Sequence, residues 1–170
     1  MRAIGKRSLA SILAAGLHVV RVVIFIAFFS LSIGAIVMPF VPFIAQWAGG
    51  GEHIGIDGDV GAGAYVKLMT CFVAFGVMLF IVNRLLEILK TLRVGSPFVR
   101  ENAVRFRQVG YALLLGEGAK LAFGVLAMIF DADVKLGTEL TTWLAMIAVF
   151  VLAEVFLEGA KMKEEQDLTV

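Results

Sequence analysis

Along the chain, apolar runs long enough to cross a bilayer alternate with short segments that hold nearly all of the charge. A membrane helix needs about 20 mostly apolar residues to cover roughly 30 Å of hydrocarbon. Val22 to Ala45 has no ionisable side chain and predicts a first span, with Pro39 and Pro42 ending or kinking it near its far side. Tyr65 to Leu89 predicts a second. Its apolar centre, Leu68 to Val82, is short, so Lys67 and Arg84 must snorkel toward the interfaces. Val109 to Phe130 predicts a third span that contains Glu117 and Lys120. Leu140 to Leu157 predicts a fourth, with Glu154 near its end. Ahead of the first span, Ser8 to Val20 reads as a short amphipathic helix lying on the membrane and leading into it. A secretory h-region behind Arg2, Lys6 and Arg7 is the lesser alternative, because His18 and Arg21 interrupt it and a full span follows at once. The expected fold is all-α: an integral membrane four-helix bundle, one domain over residues 1–170.

Composition agrees. The chain is 60% hydrophobic and 17% charged, where a soluble domain is about 25% charged. That excludes an ordinary water-soluble domain and a disordered chain. The single cysteine, Cys71, excludes an intramolecular disulfide and a multi-cysteine zinc site, and it reads as a small packing residue within the second span.

The charges fix an expected threading. Of the 15 basic side chains, all but Lys67, Lys120 and Lys135 fall in the N-terminal segment, in the connection between the second and third spans, or after the fourth span. The other two loops hold Glu52, Asp57, Asp59, Asp131, Asp133 and Glu139. The positive-inside rule then puts both termini and the middle connection in the cytoplasm. Trp47, Tyr65 and Trp143 fall at the predicted outer ends of spans, where amphipathic rings favour the interface.

Chemistry is sparse. The outer segment GGGEHIGIDGDVGAG, residues 49–63, lacks the ligand pattern of a calcium loop and the strand–glycine–helix context of a phosphate loop. His53 has no histidine partner at metal spacing, so a flexible connector is expected, with neither metal nor cofactor. In the middle connection, Glu87 is spaced for pairs with Arg84 and Lys90. Val94–Gly95–Ser96–Pro97 then breaks the helix, and Ser96 followed by Pro97 reads as an N-cap and a first-turn proline. A new cytoplasmic helix is expected over about residues 97–108, continuing into the third span. Phe98, Val99, Phe106 and Val109 give it an apolar side, and Arg100, Arg105 and Arg107 a basic one. The charge serves topology and lipid-headgroup contact, or it forms a docking surface for a cytoplasmic partner. Direct nucleic-acid binding is not expected, since no recognised module accompanies the charge.

Glu117 and Lys120 are costly inside a span, at about 2.5–3.5 kcal/mol each on insertion scales. Three residues apart, they share a helix face and can partly neutralise each other. That face must look into the bundle or a wet cavity, where the pair either fixes helix register or relays an ion. Ala112, Gly116 and Gly124 would line a close helix contact. Glu154 is placed to neighbour Arg105 or Arg107. Beyond the fourth span Glu158 and Lys161 are spaced as a pair, and the helix is expected to reach about Lys163. Glu164, Glu165, Gln166 and Asp167 then read as a solvated, fraying tail, or as an acidic segment that pairs at rest with the basic helix.

GSPFVRENAVRFRQVGYALL, residues 95–114, together with the terminal EGAKMKEEQDLTV, resembles domain of unknown function 2975, a family of small bacterial membrane proteins with about four spans. The pattern Pro97, Phe98, Asn102, Arg107 and Gly110 carries the likeness, which is expected to extend from the first span to Val170. The resemblance implies no activity. It implies a setting, since members are often encoded beside a small helix-turn-helix transcription regulator. The expected function is therefore a non-enzymatic sensor or tether in the bacterial inner membrane, contacting such a regulator through Pro97, Phe98, Arg100, Asn102, Arg105 and Arg107 and through Glu164 to Asp167. The alternative is a small transporter, channel or accessory subunit that uses Glu117 and Lys120. Neither histidine, the cysteine nor any serine has a recognisable catalytic neighbour, so an enzyme is the least expected class.

Overall fold

The computed structural model describes residues 9–47, 61–94, 97–130, 137 and 139–168. Most of the 49–63 connector and the expected Ser96 cap lie outside the described residues. The elements are α1 (Leu9–Val37), a 3-10 turn (Met38–Phe40), α2 (Val41–Trp47), α3 (Ala62–Val94), α4 (Arg100–Ile129) and α5 (Leu140–Leu168), with no strand among the described residues. Four helical stretches are long and apolar enough to cross a membrane: Leu9–Ile44, Ala62–Val94, Arg100–Ile129 and Leu140–Leu168.

Three boundaries differ from the sequence expectations. The lead-in and the first span form one helix, with no break at Arg21. His18 needs none, because its Nδ1 lies 2.8 Å from the Ala14 carbonyl of its own helix, and Arg21 sits over the Phe25 ring. Pro39 falls in the 3-10 turn and Pro42 in the first turn of α2, where a missing N–H is tolerated. At about 1.5 Å per residue, the 36 residues of Leu9–Ile44 would reach about 54 Å, well beyond the hydrocarbon layer. Second, α4 starts at Arg100 rather than Pro97. Val99 is extended, with φ −121° and ψ 142°, and caps the helix without a side-chain bond. Third, α5 stays helical through Leu168, so the acidic tail belongs to the helix.

Packing follows chain order: α1 lies against α3, α3 against α4, and α4 against α5. The four-helix bundle is thus open, with α1 and α5 at its margins. Contacts fix antiparallel register. Thr91 meets Asn102, Glu87 meets Arg105, and Val77 lies by Gly116. On the other side, Arg107 meets Glu154, Phe106 meets Phe156, and Tyr111 meets Phe150. This register gathers Arg84, Lys90, Arg93, Arg100, Arg105, Arg107, Lys161 and Lys163 at one end, called here the basic end. Trp47, Tyr65 and Trp143 lie toward the element ends away from it.

The buried stripes repeat every seven residues, as they do when helices pack at a shallow angle. On α5 they are Met146, Ala153 and Ala160; on α4 they are Ala103, Gly110, Glu117 and Gly124. Small residues allow close approach. A Cβ on Gly110 would lie 2.7 Å from the Phe150 ring, and one on Gly159 would lie 2.5 Å from the Phe98 ring. Of the expected small-residue stripe, Ala112 and Gly124 are buried and Gly116 is half-buried against Val77. Cys71 corrects its expectation: it is exposed on α3 rather than packed between helices.

Candidate functional site

Two polar constellations stand out, one at the basic end and one in mid-span. At the basic end the organising residue is Asn102, the single large side chain with no exposed surface among the described residues. Its Nδ2 donates to Thr91 Oγ1 at 2.6 Å and to the Pro97 carbonyl at 2.9 Å, while Oδ1 accepts from Arg105 Nη1 at 2.8 Å. Asn102 therefore ties α3, the 97–99 turn and α4 together. This removes it from any docking surface and accounts for the delayed start of α4, since the Pro97 carbonyl is held by a side chain rather than by the helix ladder. Arg105 also donates to Glu87 Oε2 at 3.1 Å, and Arg84 donates to the same oxygen at 2.8 Å. Glu87 thus draws one partner from its own helix, as its spacing suggests, and another from α4. Arg107 donates to Glu154 Oε2 at 3.0 Å, the cross-helix pairing that the sequence anticipates.

Phe98 is 43% exposed and lies against Phe156, whose ring also meets Phe106. Pro97 is half-buried; Arg100 is exposed. Glu164, Glu165, Gln166 and Asp167 are exposed on the last turns of α5. Among the described residues, Arg105 pairs with Glu87 and Arg107 with Glu154. The residues carrying the family likeness turn out to be joints between helices. Phe98 seats on Gly159, Gly110 receives Phe150, Arg107 reaches Glu154, and Asn102 bonds to Thr91.

In mid-span, Lys120 Nζ donates to Glu117 Oε1 at 2.7 Å. The two members differ sharply in burial, with Glu117 at 4% exposure and Lys120 at 52%. Glu117 Oε2 is buried and has no hydrogen-bond partner among the described residues. Glu117 lines a cavity of about 280 Å³ between α3 and α4, which Thr142 of α5 also touches. Spacing alone identified this pair; the orphaned oxygen and the cavity depend on α3 and α5 and have no local signature. No group of three or more His, Cys, Asp or Glu side chains among the described residues could hold a metal ion.

A family model described as "Protein of unknown function (DUF2975)" matches residues 60–170. The match covers α3, α4 and α5 and leaves α1 and α2 outside it, so it is shorter than the expected reach from the first span. No curated protein and no solved structure matches the chain. Covering more than half of the sequence, the match makes this chain a member of the DUF2975 family.

Proposed function

We propose that this protein is a non-enzymatic membrane tether or sensor whose basic end faces the bacterial cytoplasm and holds a small helix-turn-helix regulator. One observation carries the reading. Helix α5 continues as ordered helix through Leu168, and every residue from Lys161 to Leu168 is exposed. Those residues stand past Ala160, the last buried position of α5. Nearby, Phe98 and Arg100 add an exposed ring and an exposed cation. The charge distribution supports the orientation through the positive-inside rule, and the regulator is suggested by the genetic setting that the family resemblance implies.

The test is purification of the tagged protein from its native cells in mild detergent. A small DNA-binding regulator should copurify and be lost when residues 164–170 are deleted. Changing Glu164, Glu165 and Asp167 to lysine should likewise reduce capture. A preparation that carries no such regulator sinks the tether. A second reading, a small transporter, channel or accessory subunit, is favoured by the mid-span Glu117 oxygen that has no partner among the described residues. It expects Glu117→Gln to alter flux in liposomes without loss of folding.

A further inference from the structure

We propose that one side of the α3–α4 pair holds an anionic phospholipid, with its phosphate at the basic end beside Lys90 and Arg105 and an acyl chain along an apolar groove toward mid-span. The site needs only that the basic end meets a membrane surface, and it stands whether or not that end holds a regulator.

Two grooves carry the inference. The first, of about 340 Å³, is lined by Glu87, Lys90, Thr91, Val94, Val99 and Arg105. The second, of about 410 Å³, is mostly apolar, with Val77, Phe80, Ala112 and Leu115 among its walls. Residues seven apart fall close to one helix face. On α3 that spacing joins Phe80 of the second groove to Glu87 and Val94 of the first, and on α4 it joins Ala112 to Arg105. The grooves therefore lie end to end on the same side of the pair. Arg84 sits at their junction, its guanidinium 5.0 Å from the centre of the Phe80 ring. Glu87 and Phe80 are about 10 Å apart along the helix, within the roughly 15 Å of hydrocarbon that one leaflet supplies.

The first groove carries surplus positive charge. Glu87 Oε2 accepts from both Arg84 and Arg105, so one carboxylate answers two guanidinium groups. Lys90 is exposed and makes no ion pair or hydrogen bond among the described residues. Arg105 is pinned by Glu87 and by the buried Asn102, yet 24% of its side chain remains accessible. Those two bonds use two of the five N–H donors of a guanidinium. A guanidinium already fixed in place loses little freedom when it takes a phosphate.

This combination selects the occupant. A zwitterionic headgroup brings its own cation to a site that is already positive. A water-borne phosphate leaves the apolar groove uncovered. An acidic peptide meets the cations but cannot follow a groove that runs to the middle of both spans. An anionic phospholipid matches both parts, as basic pockets between helix ends do for such headgroups.

The test uses full-length protein in a neutral detergent. Native mass spectrometry follows its titration with dioleoyl phosphatidylglycerol and dioleoyl phosphatidylcholine, which share acyl chains and differ in headgroup charge. The first phosphatidylglycerol should bind at least about tenfold more tightly than the first phosphatidylcholine. Lys90→Gln should lower that preference about fivefold. Lys163→Gln, which removes an exposed cation of α5 outside both grooves, should leave it unchanged. Gly76→Leu places a side chain in the second groove, from a position whose Cβ meets nothing within 4 Å, and should weaken phosphatidylglycerol binding. Equal affinity for the two lipids overturns the proposal. Equal losses in Lys90→Gln and Lys163→Gln overturn it as well, because they report diffuse surface attraction rather than a site. Undiminished binding in Gly76→Leu removes the acyl chain from the site. Displacement of the lipid at equal concentration by glycerol phosphate, or by a peptide of residues 164–170, shows that the cations serve a water-borne anion instead. If Gly76→Leu does not fold, the lysine variants and the displacement decide.

Discussion

The two halves of α4 treat buried polarity in opposite ways. In the first half, Asn102 is fully buried and both ends of its amide are bonded, to Thr91, Pro97 and Arg105. In the second half, Glu117 is nearly as buried and one of its oxygens has no partner among the described residues. Asn102 lies where three chain segments converge, so donors and acceptors from different elements can reach it. Glu117 occupies a position of the seven-residue stripe otherwise held by Ala103, Gly110 and Gly124, and among the described residues the donor that reaches it is Lys120 of its own helix. The first half ties its buried polar group to neighbouring elements, while the second leaves a buried carboxylate oxygen without a donor among the described residues.

Four substitutions sharpen that contrast. The largest effect is expected for Lys120→Met, which leaves the Glu117 carboxylate buried and uncompensated. Removing one member of a buried pair costs about 3–5 kcal/mol, and the half-exposed Lys120 side chain places this case at about 3 kcal/mol. Reversible unfolding in mixed micelles reads it, and adding Glu117→Met to the same chain should recover most of the loss. Asn102→Ala should cost about 2–3 kcal/mol in the same assay, from its lost hydrogen bonds and the Pro97 carbonyl left without a donor. It should also loosen the α3–α4 turn, measurable as faster amide exchange over residues 97–103. Next comes Gly110→Ala, whose methyl would meet the Phe150 ring. Overpacking of this kind costs about 1–3 kcal/mol, and Phe150→Leu should relieve it. Arg107→Gln should change stability by less than about 1 kcal/mol, because its pair with Glu154 is 45% and 65% exposed. A large loss there would mean that this pair is shielded by lipid headgroups, erasing the distinction between the two halves.

How much of this was legible in sequence depends on whether the signal is local. The four spans rest on uninterrupted apolar length, and each has its helix. The Glu117–Lys120 and Glu158–Lys161 pairs rest on spacing along one helix, and both form. Glu154 pairs with Arg107 because an antiparallel hairpin with a short connection leaves few alternatives. What stayed hidden was set by contacts distant in sequence. Nothing near Asn102 announces that Thr91 will accept from it, and nothing near Gly159 announces that Phe98 will lie on it. The Ser96–Pro97 signal placed the start of α4 too early because the Asn102 side chain, itself fixed by Thr91 of α3, takes the Pro97 carbonyl that a first helical turn would use. Glu117 was legible as a residue needing an explanation, but its empty oxygen was not, because the cavity is made by other helices.

The chain-order packing, in which each helix lies mainly on the one before it, bears on how the protein is made. In a closed bundle the first helix waits for the last before its buried face is covered. Here α3 finds α1 as soon as it enters the bilayer, α4 then finds α3, and α5 completes the row. Every step joins sequence neighbours, so little loop entropy opposes it. Assembly can keep pace with synthesis, and a ribosome stalled after α4 would leave a partial row that is already packed.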